Sequence, residues 1–146
     1  MAPETTLCRA IATILDTAGL SVWRQDGTAY LPAEHGLLID QPLPTKIDNC
    51  TLLIPSTPTA DGHGNVLFRV QVTTRIKGGF TPLRDRASAI NDLFDQREYT
   101  PNVLGISWAS EYSRTYFDAD TQGRVMVSQN FEFRGRRQPR TTPTTP

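Results

Sequence analysis

The chain has little cysteine, few aromatics, no excess charge of either sign and no long apolar run. Two cysteines, Cys8 and Cys50, in 146 residues cannot build a disulfide framework. Cys8 falls in a helical pattern and Cys50 opens a strand pattern, so both read as buried free thiols. A reducing compartment is the expectation, and a durable particle assembled in cytoplasm would show the same cysteine usage. No apolar stretch approaches the roughly 18 residues of a membrane span. No basic region followed by an apolar block opens the sequence, so neither a membrane nor a secretory route is expected. The two histidines, His35 and His63, have no second ligand at helical or turn spacing and read as turn residues rather than metal ligands. No G-x-S-x-G, phosphate loop or H-E-x-x-H occurs. No nucleophile and base can be paired, so neither enzyme activity nor a cofactor is expected. Asp118 and Asp120 share a glycine-containing turn and read as turn formers.

Charge is balanced in total but not in place. There are 15 Lys and Arg against 15 Asp and Glu. Arg134, Arg136, Arg137 and Arg140 all lie in the last stretch, which has no acid. Subtracting those four from 15 leaves Met1 to Phe133 with 11 basic residues against 15 acidic ones. A mildly acidic body makes a poor nucleic-acid clamp. The basic stretch could meet phosphate or an acidic partner surface. It runs into Thr-Thr-Pro-Thr-Thr-Pro with nothing apolar to bury, so residues 134–146 are expected to be a flexible tail on a single domain spanning 1–133.

What is present is periodicity. Val66, Phe68, Val70, Val72 and Ile76 alternate with Arg69, Gln71, Thr73, Arg75 and Lys77. This predicts a strand buried on one face, with a cationic face left to a partner or to solvent. Residues Glu4 to Ala18 carry Leu7, Ile11, Ile14, Leu15 and Ala18 at helical spacing. A second helix carries Leu83, Ala87, Ile90, Leu93 and Phe94, with Thr81 as its cap and Pro82 in its first turn. Short strands are expected at Leu20 to Trp23, Leu37 to Asp40 and Cys50 to Ile54. The last is antiparallel to Val66–Lys77 across a loop from Ser56 to Asn65, and Gln41 to Asn49 runs extended over the surface. A closing hairpin pairs Leu104–Tyr116 with Val125–Phe133. Its first arm would span nearly 50 Å at about 3.4 Å per residue. It must therefore break near Ser110 or reach past the sheet. Trp23 and Trp108 read as core, and Tyr112 and Tyr116 as interface anchors. The fold class is α+β: an antiparallel or mixed sheet, two helices packed on one face, and an extended C-terminal hairpin.

Three patterns carry a resemblance. They are Val70-Gln71-Val72-Thr73-Thr74-Arg75 leading through Gly79 and Pro82 into a helix, the turn Asp120-Thr121-Gln122-Gly123-Arg124, and the strand Asn130-Phe131-Glu132-Phe133. Together with the element order from Leu7 to Phe133, they resemble the small minor capsid, neck or tail-terminator proteins of long, non-contractile-tailed bacteriophages. The resemblance implies a virion protein forming a ring, usually hexameric, at the head–tail junction. Such a ring ends tube growth, touches the tail tube protein and the head completion or connector protein, and lets genomic DNA pass without reading its sequence. Candidate contact residues are Arg69, Arg75, Lys77, Tyr112, Tyr116, Arg134, Arg136, Arg137 and Arg140. The alternative is a monomeric module binding a small ligand or single-stranded nucleic acid on the polar sheet face.

Overall fold

The alternating run forms the middle of a sheet. The computed structural model describes residues 1–137. In chain order the elements are α1 (Pro3–Thr17), β1 (Gly36–Ile39), β2 (Cys50–Pro55), β3 (Thr59–Ala60), β4 (Asn65–Lys77), α2 (Phe80–Phe94), β5 (Arg97–Glu98), β6 (Trp108–Phe117) and β7 (Arg124–Arg136). The strands make one sheet of order β1-β2-β4-β7-β6-β5, with β3 added on β4. Among the named strands of the described residues β1 and β2 run parallel and the other pairs antiparallel. This is the expected α+β architecture. The spine is β4 against β7, in register from Asn65 opposite Arg136 to Lys77 opposite Arg124.

Both helices cover the same face. Leu7, Ile11 and Leu15 of α1 and Ile90 and Phe94 of α2 bury against Leu53, Phe68, Val70, Val72, Phe131 and Phe133. The Phe94 ring meets Phe131 and Phe133 edge-on, at centroid distances of 5.8 and 6.2 Å. Fully burying one such side chain is worth about 1.5–3 kcal/mol. A smaller cluster of Ile76, Leu83, Ala87, Val125 and Val127 lies under the start of α2. Both cysteines are free and buried.

Several expectations needed correction. The strand read from Leu20 to Trp23 shrinks to one bridge, Val22 to Gly36. The loop from Ser56 holds β3, paired to Leu67 and Val66. Helix α2 starts at Phe80, capped by Gly79 at φ 92° with no side-chain cap. Thr81 is thus inside the first turn, because glycine supplies the positive φ that turns the chain from β4 into the helix. The first hairpin arm begins only at Trp108 and breaks at a bulge between Glu111 and Ser113. It runs beside β7 instead of reaching past the sheet.

The bulge shifts the alternation by one residue. Ala109 and Tyr116 therefore both face the helices, while Trp108, read as core, faces outward at 41% exposure. Arg134 and Arg136, expected in a flexible tail, instead belong to β7, and the rest of that expected tail beyond Arg137 lies outside the described residues. Backbone pairing holds this end of β7 where side chains could not: Ser107 N donates to Arg134 O, Arg136 N to Leu104 O, and Arg137 N to Gly64 O. Gly135 permits this closeness, because a Cβ there would come within 2.9 Å of Phe68 and 3.0 Å of Leu104 O.

Candidate assembly surface

The sheet face away from the helices is half covered. At one end the segment after β1 folds beneath it. Arg75 donates to the carbonyls of Pro44 and Ile47, and Arg124 donates to Thr45 O at 2.9 Å and to Asp120 at 2.7 Å. Both arginines are only 7% exposed. Arg75 was expected on a cationic outer face. The structure instead buries it, because the proline-containing segment 41–49 packs over the sheet and needs donors for its carbonyls. The strand is single-sided only through its first half.

The rest of that face is open. It carries Arg69 and Gln71 of β4, Asn130, Glu132 and Arg134 of β7, and Trp108, Ser110, Ser113, Thr115 and Phe117 of β6, with Tyr112 at the bulge. Trp108, Tyr112 and Phe117 are exposed by 41, 53 and 41%. The charges are balanced rather than cationic. Arg69 Nε meets Glu132 at 3.1 Å, and the Arg69 guanidinium carbon lies 5.8 Å from the Tyr112 ring centroid. Arg134 meets Asp61 at 3.4 Å. Asp61 owes its place to a turn: its Oδ1 accepts from His63 N and Asn65 N, and the bond from His63 first, helped by those from Asn65 and Arg134, holds its carboxyl below the usual range. His63 is a turn residue, as read.

The chain shares its fold with a protein from a virion. A chain in the structure of the virion of a native gene transfer agent (GTA) particle superposes with a TM-score of 0.59 at 14% identity, over 92% of this chain and 98% of that one. No protein-family model and no curated protein matches. Among the described residues no three of His, Cys, Asp and Glu stand close enough to hold a metal ion. No helix among them is long and apolar enough to cross a membrane.

The open face has a free edge beside it. β5 pairs only with Trp108 and Ala109, and Glu111 N donates to Asp95 Oδ1 at 2.8 Å. From Tyr112 to Phe117 no strand pairs with the outer side of β6 among the described residues. Such an edge is a template for another chain unless it is blunted.

The candidate residues are thus scattered. Arg69, Tyr112 and Arg134 come together on the open face. Tyr116 is half-buried on the helix face, with the Arg84 guanidinium 4.4 Å from its ring centroid. Lys77 sits at the exposed end of β4, its backbone N bound to Asn49 Oδ1 at 3.0 Å. Arg136 and Arg137 lie at and just beyond the end of β7, and Arg140 lies outside the described residues. Trp108, Phe117 and Glu132 were missed as surface residues. The even positions of β7 would have indicated Glu132, and Phe117 lies one residue past the expected end of its strand at an outward, odd position; only Trp108 depends on the bulge.

Proposed function

We propose that the chain is a structural protein of a phage-like particle. It acts as a ring of identical subunits, six by the family resemblance, that ends the tail tube and joins it to the head. The observation that carries this reading is the shared fold with a gene transfer agent virion chain over nearly the full length of both. A ring needs heterologous contacts, in which one patch of a subunit meets a different patch of the next. The aromatic open face and the unpaired edge of β6 lie side by side and supply one such patch. Its charges, matched within the subunit, suit a protein neighbour better than a nucleic-acid lattice. The ring would touch the tail tube protein on one side and the head completion or connector protein on the other. DNA would pass through its centre without sequence-specific contact.

Electron microscopy of particles made with and without the protein tests this. Overlong tubes or unjoined heads and tails in its absence support it; tails of normal length attached to heads overturn it. The second reading, a monomeric binding module on the polar sheet face, predicts ligand affinity independent of protein concentration. It is disfavoured because Arg69 and Arg134 are both tied to carboxylates already.

A further inference from the structure

A groove of about 790 Å³ runs along the outer edge of β1, at the opposite side of the sheet from β6. That is within the roughly 300–1,000 Å³ usual for ligand pockets. Its lining includes Arg9, Arg24 and Lys46, and no Asp or Glu among the described residues. Glu34 pairs with Arg24, so among the described residues the groove's cations not tied to a carboxylate are Arg9 and Lys46. Arg9 lies 5.1 Å from the Trp23 ring centroid and Arg24 lies 5.9 Å from that of Tyr30. The rings thus hold the guanidiniums in place. Glu34 binds Arg24 at 2.8 and 3.0 Å from outside the groove, and Arg24 Nε is shielded without a partner.

The strand edge adds direction. Gly36 N donates to Asn49 O and Asp40 N to Leu53 O, so the even residues of β1 face β2. Leu37 and Ile39 then turn outward. Leu37 is already satisfied, its N–H by Val22 O and its carbonyl by the Tyr30 hydroxyl. The backbone of Ile39 faces the groove.

We infer that this groove receives an extended acidic segment of a partner polypeptide. Its carboxylates meet Arg9 and Lys46, and its main chain adds to the edge at Ile39. This is strand addition with charged side-chain pockets. Single-stranded nucleic acid fits less well, because the ring faces that would stack bases are occupied. Arg9 lies over Trp23, and the Tyr30 ring is so close to Gly36 that a Cβ there would come within 2.8 Å. The inference does not depend on the ring reading.

The test uses the full chain and three probes: an eight-residue peptide of alternating Glu and Val, its Gln-for-Glu counterpart, and an oligothymidylate of similar length. The acidic peptide should bind at least about tenfold more tightly than the Gln peptide, weaken with salt, and shift the Ile39 amide resonance. Lys46→Glu, at an exposed position that leaves folding intact, should weaken it about fivefold or more, while Lys77→Glu at a remote site should not. Equal binding of the Gln peptide, no binding, or tighter binding of the oligothymidylate overturns the inference. So does acidic-peptide binding that Lys46→Glu leaves unchanged.

Discussion

The Gln129 carboxamide donates to the Ala87 carbonyl at 2.9 Å, from a position with no solvent exposure. It stands on β7 between Val127 of the small apolar cluster and Phe131 of the large one. Around it Asn91 donates to Glu111 at 2.7 Å, and Arg114 binds Glu111 at 2.7 and 2.8 Å. Burial pushes the Glu111 carboxyl up, but the bonds from Arg114 and Asn91 outweigh it and leave it below its usual range. A polar layer therefore ties α2, β6 and β7 together at one height, fixing how the helix sits on the sheet.

Gln129→Ala should accordingly destabilise by about 2–4 kcal/mol, combining a lost bond with a cavity. Gln129→Met keeps the volume and should cost less than half as much. Urea unfolding of both variants checks this; equal losses would mean that the hydrogen bond, not the packing, dominates.

Arg75 predicts a local effect. Arg75→Met removes the donors that hold Pro44 and Ile47 while keeping an apolar stem. The segment 41–49 should then open far more often, and trypsin should cut after Lys46 at least about tenfold faster, equivalent to about 1.4 kcal/mol of local opening. Mass spectrometry of timed digests reads the site directly. Unchanged cleavage would show that Arg124 alone holds the segment.

His35 gives the pH dependence. Its Nε2 lies 2.7 Å from Thr51 Oγ1, while its Nδ1 is shielded without a partner. Burial first, and then Arg86, lower its pKa from 6.5 to about 3. The folded protein keeps this ring neutral where the unfolded chain would protonate it. Stability from this group is therefore complete above about pH 6.5 and falls as pH drops toward 3, by at most about 1.4 kcal/mol per pH unit. In His35→Gln the melting temperature should fall less between pH 7 and pH 4 than in the parent. Parallel curves would exclude His35 as the source.

How legible all this was depends on period. The α1 stripe, the β2–β4 pairing and the odd-numbered core of β7 were readable, because a regular element repeats its burial every 2 or 3.6 residues. The bulge at Glu111 to Ser113 inserts one residue with no sequence mark, and so Trp108 was assigned to the wrong face. Arg75 was misplaced for another reason. Alternation tells which face a side chain takes, but not that a distant segment, 41–49, will cover that face. Residues Arg134 to Arg136 looked unfoldable because only side chains were counted, whereas their backbone groups complete the sheet.

The open face carries the last prediction. Trp108 and Tyr112 are exposed in the single chain, so Trp108→Ser and Tyr112→Ser should each change its stability by no more than about 0.5–1 kcal/mol. If this face meets a neighbouring subunit, buried aromatics there act as anchors worth about 2 kcal/mol or more each. The doubly substituted chain should then fold, melt within a few degrees of the parent, and yet fail to enter particles when it competes with the parent chain during assembly. Quantifying both forms in purified particles by mass spectrometry decides it. Equal incorporation would remove the open face from the assembly contacts and leave the free edge of β6 from Tyr112 to Phe117 to be tested next, with Thr115→Pro as the substitution that denies it a strand partner.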